Sequence, residues 1–216
     1  MNSTDFEFKV GGMALKFTTS YLEDAVALLR QYKAMTDRAM EQVKDDQLVE
    51  SLDSEGNSIA VLVKHMAGNM RSRWTGFPEA DGEKPDRKRD TEFEDPPESR
   101  AALLALWEEG WGCMFAALEP LTDADLGRTT TIRGEAHSVM QAIQRQIGHY
   151  SCHCGQIVFL AKHWNAEKWQ SLSVPRGKSE EFNLRVLAGE ASQLQARFRG
   201  HKIPVILKVA APGKRA

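Results

Sequence analysis

Apolar residues recur at the spacing of an α-helix in four stretches of the chain, and each stretch predicts one helix. Ser20 and Glu23 form a capping-box pattern at the start of the first stretch, and prolines bound the third. The predicted helices run from Ser20 to about Lys44, from Asn57 or Ser58 to Trp74, from Pro97 to Pro120 and from near Ser138 to Trp164. Four helices of this length can form an all-α bundle.

The segment between the second and third helices, Thr75 to Pro97, is rich in glycine and proline and has almost no apolar periodicity. This composition predicts a connection without a regular element. Such a long connection is uncommon in a helical domain, but it lets the chain cross the bundle so that the second and third helices run parallel. The predicted fold class is therefore all-α, a four-helix bundle with a long crossover, and we expect the crossover to cover a functional site.

Both ends of the chain lie outside this helical pattern. Residues 1–18 alternate apolar and charged side chains on either side of Gly11-Gly12, which predicts a short β-hairpin. After Asn165 the signals weaken, and they predict only one short helix, from Leu184 to Phe198. We therefore assign residues 1–183 to the bundle and residues 184–216 to a short C-terminal appendage of a single-domain chain.

Charge and cysteine content narrow the classes of function. Lys and Arg total 28 against 30 for Asp and Glu, and this net charge of -2 argues against nucleic acid or an anionic membrane as partner. The longest strongly apolar stretch, around Ile157 to Ala161, is far shorter than the roughly 20 residues of a membrane span. Cys113, Cys152 and Cys154 are too few for a disulfide framework, so we expect a reducing cytoplasm.

The sharpest chemical feature is the pair His149 and His153 on the fourth predicted helix. Residues four apart lie one turn above each other, so both imidazoles can reach one metal ion. The sequence lacks the adjacent glutamate of the zinc-protease pattern, which disfavours a protease. His65 lies on or beside the inward stripe of the second helix, where a bundle can bring it to the same ion. Three imidazoles would leave a position on the ion for water or substrate.

Other polar residues have weaker claims to this site. Cys152 could approach its edge, although a small buried hydrophobe is the favoured interpretation. Asn69, Gln146 and Tyr150 could orient ligands or donate hydrogen bonds, or they could be ordinary polar helix residues. We expect surface or capping roles for the remaining histidines, and we interpret Arg87-Lys-Arg, which Asp86 and Asp90 bracket, as a solvated mixed-charge loop. The remaining histidines are His137, His163 and His201.

Several motifs together resemble the DinB/YfiT-like superfamily, over residues 20–183. The most specific is the run His149-Tyr-Ser-Cys-His-Cys-Gly-Gln-Ile of the fourth helix. The others are Asn57-Ser-Ile-Ala, Lys64-His-Met-Ala-Gly-Asn-Met, Arg73-Trp-Thr-Gly-Phe, Asp81-Gly-Glu-Lys-Pro and Pro175-Arg-Gly-Lys-Ser-Glu-Glu-Phe-Asn. The resemblance implies a four-helix bundle with a long crossover, usually a homodimer, in which His65, His149 and His153 bind zinc or nickel.

The resemblance also implies a class of chemistry. Characterised relatives include S-transferases and isomerases that use low-molecular-weight thiols such as bacillithiol or mycothiol. One hypothesis is thus a metal-dependent transferase or hydrolase that activates a thiol or water and acts on a small molecule. The alternative is a non-enzymatic dimeric module with a structural or sensory metal. Four protein ligands would favour the module, and an open position facing a cavity would favour the enzyme.

Overall fold

Four helices of 16 to 26 residues form the framework of the protein in the computed structural model. It describes residues 20–191 and the backbone of residues 9–10 and 13–14. In chain order the elements are β1 (Lys9–Val10), β2 (Met13–Ala14), α1 (Tyr21–Met40), α2 (Asp45–Val49), α3 (Ile59–Trp74), α4 (Arg100–Leu118), β3 (Thr129–Ile132), β4 (Glu135–Ser138), α5 (Val139–Trp164) and α6 (Ser179–Leu187). Short 3-10 turns occupy Asp90–Phe93 and Asp123–Gly127.

Serine side chains cap the N-termini of the four long helices. The hydroxyls of Ser20, Ser58, Ser99 and Ser138 each accept the backbone N–H of the third residue beyond. The predicted starts of the first, second and fourth helices are therefore confirmed. The predicted end of the first helix, near Lys44, is wrong, because α1 ends at Met40 and the short helix α2 follows. The Arg100 guanidinium donates to the carbonyls of Met40 and Val43, which therefore do not continue the helix.

The long helices α1, α3, α4 and α5 pack as the predicted bundle. Two contacts show the direction of α4 relative to α3. Gly110 lies against Ala67, and the Cys113 sulfur lies 3.6 Å from the Thr75 hydroxyl at the C-terminal end of α3. Contacts thus advance in the same order along α3 and α4, so the two helices run parallel. Residues 75–99 form the crossover between them, as predicted, although they include the 3-10 turn Asp90–Phe93.

The core lies between the four helices and is almost entirely apolar. Its largest buried side chains include Trp107 and Trp111 of α4 and Tyr150 of α5. Gly110 allows α3 and α4 to approach closely, since a Cβ atom at this position would lie 2.9 Å from Cα of Ala67. The close packing explains why a small residue interrupts the apolar side of α4.

A β-hairpin that the sequence analysis did not predict ties the crossover to α5. Strands β3 and β4 pair antiparallel through a turn at Arg133 and Gly134, both in the left-handed region, with φ of 56° and 77°. The Asp81 carboxylate of the crossover accepts the backbone N–H groups of Glu83, Arg133 and Gly134. These hydrogen bonds hold the pKa of Asp81 well below its usual range.

The predictions for the chain ends have mixed outcomes. Backbone pairing of Lys9 with Ala14 and of Val10 with Met13 confirms the N-terminal hairpin where it is described. The predicted bounds of the helix from Leu184 to Phe198 are wrong, since α6 spans Ser179–Leu187 and residues 188–191 are not helical. Residues 192–198 lie outside the described residues. Helix α6 crosses the boundary that we assigned at residue 183, and the domain assignment itself stays a prediction.

One described helix, α4, is long and apolar enough to cross a membrane by length and composition alone. Four leucines and five alanines give α4 this apolar character, and Glu108 and Glu109 interrupt them, so no strongly apolar stretch stands out in the sequence. The side of α4 that carries Leu103, Trp107 and Trp111 is buried in the bundle core. A buried side of this kind is also typical of a core helix.

Candidate metal centre

Three histidines from two helices converge on one point, as the sequence predicted. His65 comes from α3, and His149 and His153 come from α5. Nε2 of His149 lies 3.2 Å from Nε2 of His65 and 3.0 Å from Nε2 of His153. Ligand atoms around a tetrahedral zinc ion lie about 3.3 Å apart, given metal–nitrogen distances of about 2.0–2.1 Å. Both distances from His149 are within a few tenths of an ångström of this spacing, and the ligand atoms of all three histidines lie within 4.8 Å of one another.

Each of the three imidazoles turns its other nitrogen, Nδ1, to an oxygen acceptor. Nδ1 of His65 lies 2.8 Å from the Glu92 carboxylate, and Nδ1 of His153 lies 2.7 Å from Oε1 of Gln156. Nδ1 of His149 lies 3.3 Å from Oε1 of Gln146. An Nδ1–H that donates to an oxygen leaves the Nε2 lone pair free, which is the tautomer that a metal ligand requires.

The surroundings also keep the α5 histidines neutral. Burial, together with the neighbouring His153 and His65, lowers the pKa of His149 to about 3. Burial likewise lowers the pKa of His153 below its ordinary value. Both imidazoles are therefore uncharged at neutral pH, as metal binding demands.

Glu92 is a functional residue that the sequence analysis missed. Its buried carboxylate binds His65 and also receives two hydrogen bonds from Arg87, with distances of 2.8 and 2.9 Å. Burial raises the pKa of Glu92, but the hydrogen bonds from His65 and Arg87 outweigh it and hold the pKa below its ordinary value. A carboxylate behind a histidine is a recurrent support for metal ligands.

Two neighbours fix Glu92 and His65 further. The ring of Phe93 stacks on His65 with a centroid distance of 4.7 Å. Gly68 lies one turn beyond His65 on α3 and leaves room for the carboxylate, since a Cβ atom there would lie 2.4 Å from Oε1 of Glu92. The interpretation of Arg87 as part of a solvated loop is wrong, because its side chain is only 5% exposed and pairs with Glu83 and Glu92.

The histidines open onto a cavity of about 540 Å³. Two of the predicted pocket residues, Asn69 and Gln146, line it. Tyr150 does not: it is fully buried beneath Asn69, where Trp74 donates to its hydroxyl and the hydroxyl donates to Oδ1 of Asn69. The other lining residues are the three histidines, Phe93, Arg73, Arg87, Arg89, Arg133 and Arg145.

The other candidates lie away from the cluster. The favoured interpretation of Cys152 as a small buried hydrophobe is wrong, because Cys152 is exposed. Cys154 is buried among apolar side chains, and burial raises the pKa of its thiol to about 12. His137 lies on β4 and His163 is exposed in the last turn of α5, while His201 lies outside the described residues. Within residues 20–191, the three histidines are the group of potential ligands close enough to share one ion.

Comparisons with known proteins agree with this architecture. The family described as "Protein of unknown function (DUF1572)" matches residues 16–178. The crystal structure of a DinB-like protein from Bacillus cereus ATCC 10987 is similar, with a TM-score of 0.52 and 14% identity over 68% of this chain and 94% of that chain. No curated protein matches at a significant level. The structural likeness shows a DinB-like fold and confirms the resemblance and the fold class predicted from the sequence.

Proposed function

Since the chain belongs to the DUF1572 family and its bundle brings three histidines to one point, we propose that it is a metal-dependent enzyme. His65, His149 and His153 would hold one divalent ion, zinc or nickel. The observation that carries this proposal is that Nε2 of His149 lies 3.0–3.2 Å from Nε2 of the other two histidines, while every Nδ1 has an oxygen acceptor. Imidazole nitrogens are ordinary ligands of both metals.

The reaction would be transfer or hydrolysis on a small molecule. A divalent ion, when bound, lowers the pKa of a thiol or a water and so supplies a nucleophile at neutral pH. A low-molecular-weight thiol is the proposed cosubstrate for transfer. Glu92 and Gln156 would hold His65 and His153 in place, and the side-chain amides of Asn69 and Gln146 would orient the substrate in the cavity.

The number of candidate ligands supports the enzyme over a structural metal site. Structural zinc sites usually have four protein ligands, whereas catalytic sites have three and leave a position for substrate. The group found within the described part of the chain contains three residues, and all of them line the 540 Å³ cavity. Measurements of metal content and activity distinguish this enzyme from a non-enzymatic module with a structural or sensory metal.

We predict that the purified protein binds about one equivalent of zinc or nickel per chain. His149→Ala and His153→Ala should abolish binding, because two remaining imidazoles hold an ion far more weakly. His137→Ala is the matched control, since this histidine lies on β4 outside the cluster. Elemental analysis of the purified variants measures the stoichiometry. Full metal content in the His149→Ala protein would mean that the ligand assignment is wrong.

Catalysis is tested by screening several small thiols with electrophiles such as chlorinated compounds or epoxides. We expect conjugate only in the presence of metal, and His65→Ala should abolish its formation. Cys152→Ser should leave the rate nearly unchanged, because Cys152 is exposed and outside the ligand group. Silence with every thiol would favour hydrolysis or a binding role, and activity that survives both chelation and the loss of His65 would exclude a metal mechanism.

Assembly and location complete the proposal. We propose a homodimer, as the resemblance to DinB/YfiT-like proteins implies. We also propose a cytoplasmic location, which fits three free cysteines, one of them exposed.

A further inference from the structure

The cavity beside the histidines has a strong local charge that the whole chain lacks. Five arginines line it, from α3, the crossover, the β3–β4 turn and α5, and no aspartate or glutamate is among its lining residues. The complete sequence carries a net charge of -2. The positive charge is therefore concentrated in one concave site and does not cover the whole surface. Such a concentration is typical of an anion-binding site.

Two of the five arginines have structural partners. Arg87 is buried against Glu92 and Glu83. Arg73, only 6% exposed, donates to the carbonyl of Gly82 and lies 3.4 Å from Glu83, but its Nε has no partner within the described residues. These two arginines form the floor of the site and account for most of the contacts with carboxylates.

The other three arginines have weak partners or none. Arg133 lies 3.4 Å from the shared Glu83 with its side chain 58% exposed, and Arg89 lies 3.7 Å from Asp90 with 51% exposed. Arg145 is exposed and makes no hydrogen bond or ion pair with any residue that the structure describes. It lies one turn before His149 on the same face of α5. Arg145 and the candidate metal ligands therefore line the same cavity.

The backbone at Arg133 provides an independent argument. Arg133 adopts a φ of 56° at the first position of the hairpin turn, where asparagine, aspartate or glycine is far more common. The turn geometry alone therefore gives no reason for an arginine. A need for the Arg133 guanidinium at the cavity mouth would explain the arginine, because strained backbone positions cluster at functional sites.

We infer that this cavity binds a small molecule with at least two negative charges, carried by carboxylate or phosphate groups, which Arg145, Arg133 and Arg89 would hold. Three carboxylates contact the five arginines, Glu83, Glu92 and Asp90, so two positive charges remain uncompensated. Guanidinium groups bind both kinds of anion through paired hydrogen bonds. The inference deepens the proposed function, on which it rests, because it names the substrate class of the same site.

The experiment is calorimetric titration of the full chain at low ionic strength. The probes are succinate and glycerol 3-phosphate, with succinamide and glycerol as their neutral counterparts. We expect the anions to bind and the neutral compounds to fail, and the tighter of the two anions distinguishes carboxylate from phosphate. Neutral counterparts that bind as tightly as the anions would overturn the inference.

Arg145→Ala is the decisive variant, because removing this side chain breaks no ion pair within the described structure. It should weaken anion binding about tenfold or more, as expected for the loss of charge-assisted hydrogen bonds. Arg176→Ala is the matched control: Arg176 is also exposed and lies outside the cavity. Unchanged affinity in Arg145→Ala, or equal weakening in both variants, would show that the cavity arginines do not form the site.

The same titrations on metal-stripped and metal-loaded protein separate this inference from the metal proposal. Anion binding by stripped wild-type protein that is lost in Arg145→Ala supports the arginine site, whatever elemental analysis says about the metal. Absence of metal from the wild-type protein would count against the proposed enzyme alone. Anion binding that requires the metal would mean that the anion is held by the ion, and the inference would fail.

Discussion

A single glycine determines how closely the carboxylate of Glu92 can approach His65 in the candidate metal centre. Gly68 faces Glu92 across the boundary between α3 and the crossover, and Glu92 in turn fixes Nδ1 of His65. Any side chain at position 68 would push this carboxylate outward. Gly68 has no reactive side chain, yet it affects the position of His65, a candidate metal ligand, through its contact with Glu92.

We predict that Gly68→Ala lowers metal affinity by about 10- to 100-fold, the usual cost of losing a carboxylate partner of a metal-binding histidine. Competition with a chromophoric chelator measures the affinity. Glu92→Gln should also lower the metal affinity, because it removes the charge of the carboxylate and keeps the size of the side chain. Gly148→Ala is the control: a Cβ atom there meets nothing within 4 Å. Equal affinities in Gly68→Ala and wild type would show that Glu92 does not support the site.

At the level of whole elements, the contact between α3 and α4 depends on the absence of a side chain at Gly110. Its position against Ala67 and Met70 leaves no space for a methyl group. Gly112, two residues later on the same helix, faces open space. The two glycines therefore respond to the same substitution in opposite ways.

We predict that Gly110→Ala destabilises the protein by about 1–3 kcal/mol, because overpacking forces the helices apart. Gly112→Ala should be neutral or stabilising by up to about 1 kcal/mol, since alanine is the better helix former. Urea unfolding followed by circular dichroism gives both values. A Gly110→Ala protein as stable as Gly112→Ala would contradict the close packing of α3 and α4.

A second element-level contact, between the crossover and the β3–β4 hairpin, depends on pH. Asp81 accepts backbone N–H groups from both segments, foremost from Glu83, and these lower its pKa from the ordinary value of 3.8. A carboxyl whose pKa is depressed by folding stabilises the protein above its unfolded-state pKa. This stability disappears as the pH falls through the folded-state pKa.

We therefore predict that Asp81→Asn loses more stability at pH 7 than at pH 3. Neutral asparagine keeps the size of the side chain but not the charge that the N–H groups stabilise. Urea unfolding of both proteins at the two pH values gives the difference. A deficit that is equal at pH 7 and pH 3 would mean that the charge of Asp81 does not stabilise this contact.

At the scale of the whole molecule, the outer side of α4 bears on assembly. Four small residues on this side are exposed at heptad-like spacing, Ala102, Ala105, Gly112 and Ala116, and Glu109, which pairs with Arg71, lies between them. A helix surface of small side chains allows another helix to approach closely. For the homodimer that we propose, α4 is therefore our proposed site of contact with a second copy.

We predict that light scattering at micromolar concentration gives about twice the chain mass of 24.2 kDa. Ala105→Arg should lower the measured mass, because a long charged side chain would stand in the proposed interface. Lys162→Ala, on an exposed position of α5, is the control and should keep the dimer. A monomer in the wild-type protein would remove the proposal, and a dimer that survives Ala105→Arg would place the interface elsewhere.

The sequence by itself determined the four long helices, the caps of α1 and α3 and the pair of histidines on α5. These features depend on residues within a few positions of each other, so periodicity and spacing contain the necessary information. The convergence of His65 followed from one further step, because a four-helix bundle brings the inward faces of its helices together. Apolar patterning was therefore enough to predict both the fold class and the meeting of the three histidines.

Only the tertiary structure decided what surrounds those histidines. Glu92 and Arg87 lie in a segment without periodicity, and in sequence they look like members of a charged loop. Their roles depend on Gly68 and His65, which lie 19 to 27 residues away in the chain. Arg145, Arg133 and Arg89 likewise share a cavity only after three separate segments have packed. A charged side chain takes its partner from whichever chain segment folds beside it, and local patterns carry no record of that neighbour.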